Sequence, residues 1–363
     1  MLYRMSKTKI SYLALLLLLT GVLSGCGLTV KTGANSTASG ANDGGIYRTD
    51  NKGANWLQKT LLATVSGRPG NFNALNVSAL AMDPVDAKAI YVGVVGEGLL
   101  YSYDRGDSWQ RAASLGQVTI NALAVDPTFH CTLYAAHSNK ISKSLDCGRT
   151  WAPIYYDNDS KIIMNAIVVN PKLSSEVWLG TSRGDVMKSL NRGESWQLVN
   201  RFTKPVAGIY FSPFNVRVMA VPLEANSVNF TKDGGNSWEK FDDALKEIKG
   251  ATNYRAFTFS GVIDGGMFLA SNQGLLSSTD FGKTWKEIPL LTPEPNTKIN
   301  AIAVNPTNDN ELYYVTNTTF YRSIDGGQNW ITKKLPSTRP AIGLLVDPTQ
   351  PNTIYLTVRL NKK

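Results

Sequence analysis

An all-β fold, a closed ring of seven four-stranded antiparallel blades, is what three features of this sequence predict. The first is a repeat. Seven of the eight tryptophans close copies of one eight-residue pattern, Ser/Thr-x-Asp/Asn-x-Gly-x-Ser/Thr/Asn-Trp, ending at Trp56, Trp109, Trp151, Trp196, Trp238, Trp285 and Trp330. The second is their spacing of 42 to 53 residues, the length of one propeller blade. The third is what lies between them: strand-like runs punctuated by Pro, Gly and Asn.

The elements follow in chain order. Arg4, Lys7 and Lys9 precede an apolar run from Leu13 to Leu19 and then small residues. Residues 1–25 therefore read as an export signal, too short for a comfortable membrane span. Residues 26–43, rich in Gly, Ser, Thr, Ala and Asn, read as a flexible tether. Residues 44–363 hold the repeats. Each innermost strand is an apolar segment ending in Asp-Pro, Asn-Pro or a degenerate form: Val77 to Pro84, Ile120 to Pro127, Met164 to Pro171, Val206 to Pro213, Tyr254 to Gly261, Ile299 to Pro306 and Ala341 to Pro348. A β-branched and aromatic run such as Ala89-Ile90-Tyr91-Val92 makes the second strand. A hairpin leads to the third, which carries the box, and the Trp opens the fourth. Because residues 44–56 are a box and residues 341–359 an inner pair, the seventh blade must pair C-terminal inner strands with N-terminal outer ones. That closure removes the exposed sheet edges that an open array would leave.

The chemistry of the box is local. Asp104, Asp146, Asp233, Asp280 or Asp325 can accept backbone N–H groups across a tight turn, and the following Gly takes a conformation other residues resist. Asn51 and Asn191 replace the Asp in two boxes, which a turn tolerates and a catalytic or metal-binding carboxylate would not. The repeat resembles the Asp-box, or BNR, repeat of bacterial sialidases, sortilin-type domains and photosystem II assembly factors, over about residues 44 to 360. That resemblance implies a fold and leaves the site to be found elsewhere.

Leu23-Ser24-Gly25-Cys26 resembles the lipobox of bacterial lipoproteins. By that resemblance the chain is cleaved before Cys26, lipidated on its sulfur and held in the cell envelope by this anchor. The alternative is an ordinary secretory signal. Without the signal the formal charge falls from +9 to about +6, an excess that suits anionic lipid head groups, acidic glycans or acidic protein faces.

A sialidase would carry an Arg-Ile-Pro or Arg-Leu-Pro motif and six blades; Gly67-Arg68-Pro69 and Thr338-Arg339-Pro340 lack the apolar middle residue. Xyloglucan-cleaving glycosidases use seven-bladed Asp-box propellers with two carboxylates facing a groove between paired propellers. Asp157, Asp159, Asp242, Asp243 and Glu247 are candidates here, with solvated turn residues as the alternative. His130 and His137 are the only histidines, so neither a histidine metal cluster nor a Ser-His-Asp site is expected, nor any cofactor. No Gly-rich phosphate loop and no basic, aromatic stripe point to nucleotides or nucleic acid.

Cys131 and Cys147 each lie eight residues from Asn139, so a hairpin turned there sets them opposite each other. In an oxidising compartment they are expected to form a disulfide, and in a reducing one to stay thiols. With no Cys-x-x-Cys present, redox catalysis is not expected.

Propellers bind through the loops that join one blade to the next, together with the hairpins between second and third strands. By that geometry Arg68, Tyr155, Tyr156, Arg183, Arg201, Lys204 and Arg339 gather on one face. Arginine and aromatic residues are common interface anchors. Arg255 takes the inner-strand place that Asn121, Asn165 and Asn300 hold in other blades, which suggests an anion or carboxylate at the channel mouth. The alternative is an arginine bonded within its own blade or solvated. The expectation is an exported, lipid-anchored, monomeric scaffold that binds a protein or glycan partner without catalysis. A glycoside hydrolase is the second reading.

Overall fold

The computed structural model describes residues 42–63, 69–224, 228–248, 250–291 and 298–360. Seven four-stranded antiparallel sheets follow one another along the chain, and six are built from consecutive segments. Blade 1 runs from the inside outwards through Val77–Met82, Ile90–Val94, Gly98–Ser102 and Gln110–Arg111. The inner strands of blades 2 to 6 are Ile120–Val125, Met164–Asn170, Tyr210–Phe211, Tyr254–Phe259 and Ala301–Asn305. Blade 7 is shared between the two ends: Ala341–Val346 and Ile354–Val358 pair with Gly45–Thr49 and Leu57–Gln58. Gly45 faces Val358 and Thr49 faces Ile354 across the closing ladder. The chain is thus the all-β, seven-bladed propeller that its repeat predicts, with the predicted closure.

One boundary moves. Asp43, expected in the tether, is buried, and its carboxylate binds Arg339, Thr338 and, through its carbonyl, Ser337. Cys26 and the rest of residues 1–41 lie outside the described residues, as do Arg68 and Lys249.

The core lies between blades. Trp178 from the second strand of blade 3 packs with Met219 and Val221 of blade 4, and the same layering recurs around the ring. Small residues allow the blades to converge; a Cβ on Gly180, in the second strand of blade 3, would come within 2.4 Å of Val206 at the entry to blade 4. Adjacent blades are also bolted by hydroxyl–carboxylate pairs. Ser174 of blade 3 donates to Asp126 of blade 2 at 2.6 Å. Between blades 5 and 6 the roles are exchanged, and Ser260 donates to Asp309 at 2.5 Å, because the earlier blade has Ser-Gly where others have Asp-Pro.

The box forms as its residues dictate. In blade 1 Asp104 Oδ1 accepts the Ser102 hydroxyl at 2.7 Å and the Ser108 amide at 2.9 Å, while the Gly106 amide donates to Ser102 at 2.8 Å. Gly106 has φ +83° and Arg105 before it φ +61°, so two successive residues are left-handed and turn their amides inwards. The Trp109 indole N–H closes the unit on the Gly106 carbonyl at 3.0 Å. The Ser237 hydroxyl and amide hold the Asp233 carboxyl well below the usual range. Bonds from Asn329 bring Asp325 to about 2. Asn51 and Asn191 accept the same amide at 2.9 Å, from Asn55 and Ser195, so the neutral amide reproduces the turn.

In blade 2 the Cys147 amide donates to the Cys131 carbonyl at 3.0 Å, just outside the paired strands, and the two sulfurs are joined as a disulfide.

Candidate functional site

The inner strands converge on an axial channel whose two mouths differ in chemistry. One opens on the loop face, where the strands begin. Here five of the seven inner strands hold one residue out of register with the neighbouring strand: Ser78, Asn121, Asn165, Arg255 and Ile342 sit at shifts where the ladder skips a residue. A bulge of this kind re-aims a side chain at a rim. Ala207 and Asn300, just before the paired segments of blades 4 and 6, complete a ring of seven. Two of the asparagines bolt the ring together: Asn121 donates to the Met164 carbonyl and Asn165 to the Val206 carbonyl, each at 3.1 Å.

Within this ring lies a cavity of about 330 Å³, lined by residues of five blades including Asn121, Asn165, Glu224 and Arg359. Arg359 also lines an adjoining cavity of about 210 Å³ with Lys298, Asn300 and Asn317. Arg255 is exposed and donates only to a neutral group, Asn272 Oδ1, at 2.7 Å. Arg359 is exposed and its guanidinium makes no ion pair among the described residues. These cavities therefore present Lys298 and Arg359 against one carboxylate, Glu224, with Arg255 at the equivalent ring position of its own blade, outside both linings. Such a surplus in a concave, amide-lined site favours an anionic group.

At the other mouth, where Asp-Pro turns end the inner strands, the channel is apolar. Val168, Tyr210 and Val304 line a cavity of about 480 Å³, and Ile302, Val304 and Leu344 one of about 350 Å³.

The residues expected on the docking face separate into three groups. Arg183 and Arg201 both bind the buried Asp185, and Arg183 also reaches Asp157 at 2.7 Å. Despite burial, which would raise it, these two guanidiniums keep the Asp185 carboxyl below its usual range. Around them lie Tyr155, its ring 5.7 Å from that of Trp196 and tilted against it, the exposed Tyr156 and the exposed Lys204. Arg255 stands apart at the axis. Arg339 is not on the docking face: it is 2% exposed, bound to Asp43 and donating to the Ala74 and Leu75 carbonyls. A guanidinium has donors enough to satisfy the end of a connecting loop, and here that is its work. His137 too is buried rather than solvated, 2.8 Å from an equally buried Ser142, with burial pushing its pKa down.

Of the carboxylates weighed for hydrolysis, Asp157 is taken by Arg183, Asp159 caps the Lys161 amide, and Asp242 and Asp243 start a single helical turn. Glu224 is the one carboxylate lining the upper cavity, and Asp83 the one lining the lower two. Sequence reasoning missed Lys298, Glu224 and Arg359. Arg359 directly follows the last paired strand, a place opposite the ring position that the repeat alone could have flagged.

A single-chain, seven-bladed Asp-box (BNR-type) propeller with a cationic axial mouth is the class that fold and site define. A family model described as photosynthesis system II assembly factor YCF48 matches residues 223–349. A xyloglucanase from Paenibacillus sp is 31% identical over 130 residues, 31% of this chain and 12% of that much longer protein. Among solved structures, YCF48 bound to D1 peptide superposes with a TM-score of 0.61 at 17% identity, covering 78% of this chain and 93% of that one. The xyloglucanase from Xanthomonas campestris superposes with a TM-score of 0.63 at 19% identity, covering 78% of this chain and 51%, about half, of the enzyme. At such identities the likeness is one of fold.

Proposed function

We propose that this chain is an exported, lipid-anchored binding scaffold that holds an acidic or carboxylate-bearing segment of a protein partner at the axial mouth of its loop face. The observation that carries this reading is the mouth itself: Arg359 lines two adjoining concave cavities, joined by Lys298 in one and by a single carboxylate, Glu224, in the other, while Arg255 holds the ring position of its own blade. The Cys26 lipobox supports the anchor, and the peptide complex formed by a propeller of the same ring size supports a polypeptide ligand. Glycan binding is the second reading, favoured by the local match to a xyloglucanase.

The test is capture from detergent-solubilised membranes by the lipidated chain beside an Arg255→Gln/Arg359→Gln variant. A membrane protein retained by the first and lost by the second is the expected result. Equal recovery would remove the mouth from the proposal. Binding of xyloglucan oligosaccharides with no captured protein would put the glycan reading in its place.

A further inference from the structure

The two ends of the channel, taken together, describe an amphiphile. The upper cavity touches five blades and each lower cavity four, so all three lie on the axis rather than in clefts between neighbours. Arg255 and Thr258 belong to one inner strand, Arg255 at the cationic ring and Thr258 in the wall of both lower cavities. Three residues of strand separate them by about 10 Å. Below that level Val168, Ile302, Val304 and Leu344 are half-buried in the wall, interrupted by Thr258, the Tyr210 phenol and the buried Asp83 and Ser260. The turn after Pro213, which lines the larger lower cavity, exposes Phe214, so the apolar character continues onto the rim there.

We infer that the channel binds a single-chain anionic amphiphile, its head group at Arg255 and Arg359 and its hydrocarbon running down to the lower cavities. Charge complementarity selects the head and the aliphatic wall selects the tail. The cavities, about 330, 480 and 350 Å³, are each in the range of small-molecule sites. The head group is a carboxylate or a phosphate, which the cations alone do not distinguish. This inference uses the same mouth as the scaffold reading, but its lower half is independent of it.

The experiment is calorimetric titration of the chain from residue 26, with Cys26→Ser so that no anchor lipid competes; every strand of the closed ring is retained. The probes are octanoate, decanoate and laurate below their micellar concentrations, then dodecyl phosphate, then the uncharged dodecyl maltoside. The expected affinity rises about fourfold per methylene from octanoate to laurate. The maltoside should bind at least tenfold more weakly than laurate, and the Arg255→Gln/Arg359→Gln variant should erase that difference. Laurate against dodecyl phosphate decides which head group is preferred. Thr258→Lys, which places an ammonium in the lower wall, should cost laurate tenfold or more while leaving partner capture unchanged. Val304→Thr, of nearly equal size, should cost severalfold and guards against a misfolded Thr258→Lys. No dependence on chain length, or laurate affinity indifferent to both lower-channel variants, would overturn the inference. Loss of laurate binding with intact capture in those variants separates it from the scaffold reading.

Discussion

Asp43 Oδ1 lies 3.2 Å from Arg339 Nε, and both side chains are shut away from water. The pair joins the residue that enters the first-formed strand of blade 7 to the loop that enters its last inner strands, 296 positions later in the sequence. Thr338 adds its amide and hydroxyl to Asp43 at 2.6 Å each, and Arg339 extends to Asn76 at 3.0 Å. The ring is therefore latched by charge as well as by the strand ladder beside it.

Breaking that latch is expected to be costly. Asp43→Ala leaves a guanidinium in the interior with its charge uncompensated, which costs roughly 3–5 kcal/mol. Urea unfolding should show a much lower midpoint at unchanged slope. Replacing both partners by apolar residues should recover part of the loss, because the stranded charge is then gone. A change under about 1 kcal/mol in the single variant would mean that the latch is not a closing element.

Acid should unlock the boxes in a defined window. Asp146 is brought to about 2 by Thr150 against a burial effect that would raise it, and Asp325 to about 2 by Asn329. Asp104, Asp233 and Asp280 move in the same direction. A carboxylate lowered in the folded chain contributes stability that is fully present above its unfolded pKa, about 3.9, and is lost as pH falls through the folded value. Denaturation midpoints should hold steady from pH 7 to about 4.5 and then fall steeply towards pH 2. Asp83 and Asp309, raised by burial, run the other way and should soften the upper edge of that fall. A midpoint already declining between pH 7 and 5 would contradict the assignment.

The boxes also predict their own tolerance. The Ser195 amide reaches Asn191 Oδ1 at 2.9 Å, and Asn191 Nδ2 returns a bond to the Ser195 hydroxyl at the same distance. Asp280 holds Thr284 by the corresponding pair, 2.9 Å to the amide and 2.6 Å to the hydroxyl. Asp280→Asn should thus change stability by less than about 0.5 kcal/mol at pH 7, while Asp280→Ala should cost about 1–2 kcal/mol, as lost caps do. Equal effects of the two substitutions would show that charge, not the turn bond, is what matters.

The ring was legible because its signal is periodic: a Trp, a Gly and an Asp or Asn recur at one interval, and each has a local job that the sequence displays. Arg339 was misread for the opposite reason. Nothing adjacent to it marks burial, since its partner Asp43 comes from the far end of the chain and forms the pair only when the ring shuts. For the arginines of blade 3, Asp185 between them, which absorbs their charge, follows from the hairpin register and not from composition. Arg255 was recognisable by breaking a column of asparagines. Arg359 was legible only in its place, directly after the last strand, because its contribution depends on the axial cavity that five blades build together.

The cysteine pair offers the most direct check on the compartment. Cys131 and Cys147 are 16 residues apart and closed as a disulfide in blade 2. Cys147 takes φ +62° in the box, a conformation enforced by the Gly148 turn, and its carbonyl receives the Tyr103 hydroxyl at 2.7 Å. Its position is therefore held by the blade whether or not the bond forms. In the chain-entropy account a loop of this size gives about 3 kcal/mol to the oxidised form. Denatured, unreduced and unlipidated protein purified from an oxidising compartment should show one reactive thiol, from Cys26, and three after reduction. Reduction should lower the melting temperature by roughly 5–10 °C for a domain this large. Cys131→Ser/Cys147→Ser should match the reduced protein and respond to no reductant. Three thiols before reduction would show that the pair stays reduced even in an oxidising compartment, and would overturn the bond.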